Sequence, residues 1–167
     1  VAFVGSSKIA KIVYQRATNL GKRALCLGGA KNHIILLPDA DPEMCGVGIA
    51  DSFTGCAGQR CMAASVLLAV GDTDKQIEKI KQRALETTCG DKMGAMITQE
   101  QIIFLNEAID QAVKDGATLL VDGRAQPVSS KYEGGYWLGP TILDNVKPNS
   151  DAALKELFGP ILSIIRC

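Results

Sequence analysis

The sequence has few residues that could form a metal site or the Cys-His pair of a hydrolase. It contains one histidine, His33, and its six cysteines form no Cys-x-x-Cys pair. Structural zinc sites need closely spaced cysteine and histidine ligands, so we expect no metal site. Nothing in the sequence pairs His33 with a cysteine, which argues against a cysteine hydrolase. We interpret His33 as a structural residue.

Long apolar runs and an excess of one charge are also missing. Basic and acidic residues number 18 each, and no basic run indicates a nucleic-acid partner. No apolar run reaches the roughly 20 residues that span a bilayer, and no secretion signal opens the chain. We expect a protein that is not secreted and keeps free thiols, cytoplasmic if bacterial and in the mitochondrial matrix if eukaryotic.

The remaining composition is that of a globular protein, with 167 residues, 47% of them hydrophobic and 22% charged. Strand-like and helix-like segments alternate, which predicts an α/β fold with a mostly parallel sheet flanked by helices. We expect strands over 1–4, 22–27, 32–37, 66–70, 117–122, 139–143 and 161–167. We expect helices over 8–18, 42–53, 72–87, 98–115 and 150–157, and a small hairpin joining 127–135 to 136–138.

Local signals also predict helix caps and buried faces. Asp41 followed by Pro42 is typical of a helix start, and Thr98 or Gln99 begins a later helix. Apolar spacing predicts the side chains that face the core. These are Met44, Val47, Ile49, Ala50 and Phe53; Ile77, Ile80 and Leu85; and Ile102, Ile103, Leu105, Ala108, Ile109 and Val113.

Cys61 is the residue with the most reactive potential. It follows a turn flanked by Gly55 and Gly58, and Gln59 and Arg60 precede it directly. A thiol reacts as thiolate, which a neighbouring cation or well-placed N–H groups favour. The alternative is a packing role, since cysteine is among the residues most often buried.

Three further segments accompany Cys61. Residues 58–61 read Gly-Gln-Arg-Cys, 3–6 read Phe-Val-Gly-Ser, 28–33 read Gly-Gly-Ala-Lys-Asn-His and 156–160 read Glu-Leu-Phe-Gly-Pro. In this order and rough spacing, the four segments resemble the aldehyde dehydrogenase superfamily and cover almost the whole chain. Segments 29–33 and 58–63 look most like the methylmalonate-semialdehyde dehydrogenase branch, whose members acylate coenzyme A.

The resemblance implies a role for each motif. Cys61 would attack an aldehyde, pass hydride to NAD and retain a thioester, with its own N–H stabilising the oxyanion. The asparagine that completes the family's oxyanion hole is expected upstream of this chain. Gly5 and Ser6 would meet the cofactor phosphates, although Ser6 read by itself is a plain helix cap. Glu156 would bond the nicotinamide ribose, with Phe158 packing nearby.

One departure from the family motif concerns the second half of the reaction. Aligning Lys31 with the family's lysine puts Leu27 where hydrolytic members carry a general-base glutamate. Leucine cannot activate water, so the thioester would persist until coenzyme A attacks it. The resemblance then implies oxidation of malonate or methylmalonate semialdehyde, decarboxylation, and release of acetyl-CoA or propionyl-CoA.

Arg60 is the expected ligand of the substrate carboxylate, because a guanidinium binds carboxylates through two parallel hydrogen bonds. A structural salt bridge is the alternative. Both readings stay open from the sequence.

The resemblance also predicts how the chain relates to a larger protein. We expect an internal fragment, in which 1–27 are the end of an NAD-binding domain and 28–167 a catalytic domain truncated at its C-terminus. Alone, it is expected to be inactive; the complete protein is expected to form a dimer or tetramer. The segment that selects NAD over NADP is expected before Val1. A hydrolytic aldehyde dehydrogenase and a non-enzymatic assembly fragment are the alternatives.

Overall fold

The computed structural model describes residues 1–167, which divide into two units, Val1–Ala30 and Lys31–Cys167. The division falls a few residues after the boundary expected at residue 27. The assignment of the two parts to an NAD-binding and a catalytic domain stays a prediction.

The first unit is a strand, a helix and a second strand. Strand β1 spans Ala2–Val4, helix α1 spans Ser7–Asn19 and strand β2 spans Leu25–Leu27. The two strands pair in parallel, with Phe3 opposite Cys26. Strand β2 is shorter than expected, because residues 22–24 lie outside the ladder.

The second unit contains a five-stranded sheet in the order β3-β4-β7-β6-β5. All neighbouring strands are parallel except β5 and β6, which run antiparallel. The predicted α/β fold with a mostly parallel sheet is therefore confirmed. The strands are β3 His33–Leu36, β4 Val66–Ala69, β5 Thr118–Val121, β6 Thr141–Asp144 and β7 Ile161–Arg166. The helices are α2 Pro42–Thr54, α3 Asp74–Leu85, α4 Gln99–Lys114 and α5 Asp151–Leu154.

The sheet has a separate apolar core on each face. Successive side chains of a strand point to opposite faces. In β7, Ile161 and Ile165 belong to the cluster that includes α4 and α5, whereas Leu162 and Ile164 belong to the one that includes α2 and α3. Burial of both faces explains why β7 reads as a continuous apolar run.

The predicted helix cap at Asp41 is confirmed, and the helix expected to begin at Thr98 or Gln99 begins at Gln99 with Thr98 as its cap. The Asp41 carboxylate accepts a hydrogen bond from the Met44 N–H at 2.8 Å. The Thr98 hydroxyl accepts one from the Gln101 N–H at 3.2 Å. Each bond satisfies an N–H at a helix start, where none has an intrahelical partner. No helix in the chain has the length and apolar character needed to cross a membrane.

The prediction of buried side chains is wrong at five positions. Met44 is 76% exposed and Val47 50% exposed, because α2 packs on α3 through Gly46, where a Cβ would lie 3.2 Å from the Lys79 carbonyl oxygen. The buried face of α2 therefore runs through Gly46, Ile49, Ala50 and Phe53. Leu85, Ile103 and Val113 are also exposed, since they lie beside the buried stripes of their helices.

Two further predictions, both in the C-terminal half of the chain, differ from the structure. The hairpin expected between 127–135 and 136–138 does not form; Ser130–Tyr132 is a 3-10 turn, and Tyr136 bridges to Met96. The last helix ends at Leu154 rather than Leu157, because Lys155 already has extended backbone angles.

Candidate active site

The turn that follows α2 has an unusual backbone. After Thr54 the chain forms a short 3-10 turn over Gly55–Gly58, inside which Cys56 and Ala57 have φ of 51° and 53°. Left-handed angles cost an L-residue roughly 1–2 kcal/mol. Ala57 is fully buried in the core beneath α4, so packing holds the chain in this conformation. The strained turn fixes the direction in which the next residues leave α2.

Cys61 lies on a tight turn that starts at Arg60. The Arg60 carbonyl accepts a hydrogen bond from the Ala63 N–H at 3.1 Å, which places Cys61 and Met62 at the two corners. The side chain of Cys61 is exposed and unpaired. Its N–H makes no hydrogen bond within the chain. A free donor beside an exposed thiol is what an oxyanion site requires.

Gln59 connects this turn to the loop before α4. Its side-chain Nε2 donates to the carbonyls of Cys56 at 3.1 Å and Ala95 at 3.3 Å. Its Oε1 accepts from the Ile97 N–H at 3.1 Å. The side-chain amide thus acts as an additional peptide group between two loops. Gln59 therefore supports the turn that carries Cys61 from the side of α4.

Asn32 holds the same turn from the side of β3. Its side-chain amide donates to the carbonyl oxygens of Cys61 at 2.8 Å and Ala63 at 3.0 Å. Asn32 belongs to segment 28–33, but no role was predicted for it. Its local signal is a polar side chain at the start of an apolar strand.

Arg60 contacts the end of α2. Its Nη2 donates to the carbonyls of Ser52 at 2.9 Å and Asp51 at 3.3 Å at the C-terminal end of α2, where the Gly55 N–H also donates to the Asp51 carbonyl. A Cβ on Gly55 would overlap the guanidinium, so glycine leaves room for it. Arg60 forms no salt bridge, and its other guanidinium N–H groups make no hydrogen bond within the chain. They remain available to a ligand.

The segment 156–160 lies directly beside the turn that carries Cys61. A Cβ on Gly58 would overlap the backbone of Gly159. Gln101 holds this segment from α4, donating to the carbonyls of Leu157 at 2.7 Å and Phe158 at 3.4 Å. Phe158 has a φ of 55° and a half-exposed ring. Because Asn32 of segment 28–33 also bonds to the Cys61 carbonyl, the fold brings three of the four sequence motifs into contact.

Lys31 is a buried cation without a partner. Its Nζ is inaccessible to solvent and makes no hydrogen bond. Burial lowers the pKa of Lys31 to about 8, although the negative charge of Glu156 opposes this shift. The carboxylate of Glu156 is on an exposed residue. No local sequence pattern predicts this arrangement, because it depends on contacts between distant segments.

Gly5 and Ser6 lie in the first unit, between β1 and α1. The Gly5 N–H donates to the Leu27 carbonyl at 3.1 Å. Ser6 occupies the N-cap position of α1, but its side chain makes no capping hydrogen bond. Instead, the Ser7 hydroxyl accepts from the Gly29 N–H at 3.1 Å. The Ser6 hydroxyl is therefore free at a helix N-terminus, where anions bind.

The remaining candidates concern metals and His33. No three histidine, cysteine, aspartate or glutamate residues lie close enough to hold a metal ion. All six cysteines are unpaired. The Nδ1 of His33 is 2.8 Å from the Lys31 carbonyl oxygen, so its ring contacts the backbone at the start of β3.

Comparison with known proteins gives one family. The family model described as aldehyde dehydrogenase family matches residues 1–167. Malonate-semialdehyde dehydrogenase 1 of Geobacillus kaustophilus is 40% identical over 172 residues, a match that covers 99% of this chain and 35% of that protein. The acylating mitochondrial methylmalonate-semialdehyde/malonate-semialdehyde dehydrogenase of Bos taurus is 38% identical, with 99% of this chain and 32% of that protein covered.

Solved structures give the same result. The crystal structure of a methylmalonate-semialdehyde dehydrogenase from Sinorhizobium meliloti complexed with NAD has a TM-score of 0.93 at 39% identity, covering 100% of this chain and 35% of that one. The methylmalonate-semialdehyde dehydrogenase of Oceanimonas doudoroffii has a TM-score of 0.93 at 38% identity, covering 99% and 36%. This chain thus spans about a third of the length of the relatives it matches.

Proposed function

This chain belongs to the aldehyde dehydrogenase family, a family of oxidoreductases, and from that membership we propose that it carries the nucleophile of a semialdehyde dehydrogenase that acylates coenzyme A. The substrate class is malonate or methylmalonate semialdehyde. The observation that carries the proposal is the exposed Cys61 thiol on a fixed turn, beside its own unpartnered N–H.

Cys61 performs the covalent step. Its sulfur adds to the aldehyde carbon, and the carbonyl electron pair becomes an oxyanion within reach of the Cys61 N–H. The oxyanion then re-forms the carbonyl as hydride leaves the carbon, and a thioester remains on Cys61. When bound, NAD accepts this hydride. The substrate is oxidised by two electrons in this step.

Arg60 supplies the recognition of the acid group. Its Nη2 is occupied by the carbonyls that end α2, which fixes the plane of the guanidinium. The Nε and Nη1 donors make no hydrogen bond within the chain and can donate to a carboxylate. A semialdehyde that carries a carboxylate close to its aldehyde suits an arginine adjacent to the nucleophile. This placement supports recognition over the salt bridge considered from the sequence.

Leu27 supports coenzyme A as the acceptor of the acyl group. It ends β2 and has no group that accepts a proton, so water is not activated from this position. Loss of CO2 from a malonyl-type thioester is assisted because the thioester carbonyl takes up the developing charge. Attack by the coenzyme A thiolate then breaks the bond between the acyl group and Cys61. The products are acetyl-CoA or propionyl-CoA, together with free Cys61.

In each unit, the residues assigned to NAD have chemical groups that suit a part of this cofactor. In the first unit, the free Ser6 hydroxyl and the N-terminus of α1, next to Gly5, suit phosphate oxygens. In the second unit, the exposed carboxylate of Glu156 suits a ribose hydroxyl, and the half-exposed ring of Phe158 offers an apolar contact. The Ser6 hydroxyl makes no capping hydrogen bond in its own unit, whereas the Glu156 carboxylate also favours the charged form of Lys31.

The test is the reaction of the complete protein. We expect NADH formation from malonate semialdehyde to require coenzyme A, with acetyl-CoA as the product identified by mass spectrometry. Cys61→Ser is expected to abolish the acyl-enzyme. Turnover to a free acid without coenzyme A would identify a hydrolytic aldehyde dehydrogenase. If the complete protein does not bind NAD, the alternative that this chain is a non-enzymatic assembly module is favoured instead.

The proposal also covers the activity of the isolated chain and the oligomeric state of the complete protein. Because it spans about a third of its relatives, the isolated chain is expected to produce no NADH. In the complete protein we expect a homodimer or homotetramer, and the exposed Met44 and Val47 of α2 support an interface there. Gel filtration with light scattering measures the oligomer size.

A further inference from the structure

We propose that Asn32 is a positioning residue for Cys61, which fixes through its side-chain amide the turn that presents the thiol. This inference rests on the proposed role of Cys61 as nucleophile. It assigns to Asn32 no contact with substrate or cofactor.

The hydrogen bonds of Asn32 divide into two groups. The side-chain Nδ2 donates to the carbonyl oxygens of Cys61 at 2.8 Å and Ala63 at 3.0 Å. The backbone carbonyl accepts from the N–H groups of Ser65 at 3.2 Å and Val66 at 3.1 Å. It also accepts from the Ser65 hydroxyl at 3.1 Å. One residue thus holds the chain from the nucleophile to the start of β4.

The side chain determines the geometry at Cys61 itself. The Cys61 carbonyl and the Met62 N–H belong to the same planar peptide group. Fixing this carbonyl therefore fixes the direction of the Met62 N–H and the backbone angle that follows the thiol. The second amide proton binds the Ala63 carbonyl, at the far end of the turn. Asn32 thereby sets both ends of the Cys61–Ala63 segment.

Only an amide meets these requirements at this position. Both bonds need donors from one small group, and asparagine carries two on Nδ2. An aspartate would place oxygen against two carbonyl oxygens. Asn32 directly precedes β3, whose register with β4 pairs His33 with Val66, so the donor is attached to a rigid sheet. The sheet, rather than the loop, thus determines where the thiol lies.

The experiment compares the alkylation of Cys61 in three variants of the chain. Asn32→Leu and Asn32→Ala remove the amide without adding charge, and Leu keeps most of the side-chain volume. Ser65→Ala is the matched control, since it removes a bond to the Asn32 carbonyl and none to the nucleophile turn. Iodoacetamide at limiting concentration is the probe, with peptide mapping by mass spectrometry. Exposed Cys56 serves as the internal reference in each molecule.

We expect the rate of Cys61 relative to Cys56 to fall about tenfold in both Asn32 variants, which corresponds to the loss of one to two neutral hydrogen bonds. The ratio of the two rates is expected to stay constant in Ser65→Ala. Equal relative rates in all three variants would overturn the proposal. A purely structural role would lower the melting temperature without changing this ratio.

A measurement on the unchanged chain keeps the inference testable if the variants do not fold. The side-chain amide protons of Asn32 are expected to exchange slowly with solvent by NMR, and rapid exchange would overturn the proposal. The outcome is separable from the proposed function. A reactive Cys61 that is insensitive to Asn32 contradicts only the positioning role, whereas the coenzyme A assay of the complete protein tests the function.

Discussion

A Cβ atom on Gly58 would overlap the carbonyl oxygen of Gly159, so these two glycines lie backbone against backbone. Gly159 in turn packs on Leu105 of α4, where a Cβ would overlap the leucine side chain. The turn that carries Cys61 and the segment that carries Glu156 are thus stacked without intervening side chains. This close approach requires glycine at position 58, whereas a Cβ at position 159 would meet the Leu105 side chain instead.

Replacement of Gly58 by alanine is expected to destabilise the chain by about 3 kcal/mol or more, since a strained backbone angle and a backbone overlap add together. Gly21→Ala is a matched control. Its φ of 67° is close to the 68° of Gly58, yet no atom lies within 4 Å of a Cβ there. The control is expected to cost about 1 kcal/mol, from the angle alone. Urea unfolding measures both values, and equal costs would contradict the backbone contact.

Lys31 gives a pH dependence of stability with a defined sign. Its pKa is lowered from 10.5 to about 8 in the folded chain, so below pH 8 folding buries a charge that is solvated in the unfolded chain. Between about pH 8 and 10.5 the unfolded chain binds more protons, and stability rises with pH. Lys31→Met removes this cost and keeps the apolar stem. The variant is expected to be more stable than the wild type by up to about 3 kcal/mol at pH 7.

The quantity to measure is the difference in unfolding free energy between the wild type and Lys31→Met. Other groups that titrate in this range, including the free cysteines, contribute equally to both and cancel. Urea unfolding at pH 7, 9 and 10.5 is expected to show the advantage of Lys31→Met shrinking over this range. A difference that stays constant with pH would mean that Lys31 is not held as a buried cation. Glu156→Gln is expected to enlarge the cost, because the negative charge of Glu156 favours the charged amine.

The sequence predicted those features that depend on neighbours along the chain. The cap at Asp41 and the start of α4 at Thr98 or Gln99 follow from residues within one helical turn, and the structure confirms both. The strand and helix order also follows from local periodicity. Arg60 was singled out because it adjoins Cys61, but its contact with the Ser52 carbonyl depends on where α2 ends in space.

Features set by distant contacts were not predictable. Cys56 and Phe158 adopt left-handed angles that their residue types disfavour, and only packing against other segments imposes them. Met44 was expected inside, because an apolar residue at helical spacing usually marks a buried face. Gly46 forms that face instead, and a glycine contributes no hydrophobic signal to the pattern. Asn32 acts across 29 residues of sequence, which no local pattern reveals.

The ion pair between Arg166 and Asp144 is expected to be the strongest charge interaction of the sheet. Arg166 donates from Nε at 2.9 Å and Nη2 at 2.7 Å to the two carboxylate oxygens of Asp144, which is 4% exposed. These bonds raise the pKa of Arg166 above its usual range. Asp144→Asn leaves the guanidinium without its fork partner and is expected to cost about 3 kcal/mol.

Asp74→Asn provides the control on the same guanidinium. Asp74 accepts from Nη1 of Arg166 at 2.6 Å, but its side chain is 77% exposed. An exposed pair is screened by solvent, so this loss is expected to cost at most about 1 kcal/mol. Chemical unfolding of both variants at pH 7 gives the comparison. Similar costs would show that burial of Asp144 does not strengthen the pair.

Arg60 allows the substrate class to be tested in the complete protein. Arg60→Lys retains the charge but loses the planar fork. We expect kcat/KM for malonate semialdehyde to fall about 10- to 100-fold, which corresponds to roughly 1.4 to 2.7 kcal/mol. The kcat/KM for a neutral aldehyde of similar length is expected to fall much less, because that substrate has no carboxylate to bind. The ratio of the two losses separates recognition from general damage to the site.

A second variant separates recognition from support of the turn. The Ser52 hydroxyl accepts from the Ala64 N–H at 3.1 Å, while the Ser52 carbonyl accepts from Arg60. Ser52→Ala removes the first bond and leaves the second, so it loosens the turn without removing the guanidinium. This variant is expected to slow both aldehydes to the same extent. If Arg60→Lys also slowed both equally, Arg60 would act only as a cap of α2, and the substrate carboxylate would have to bind elsewhere.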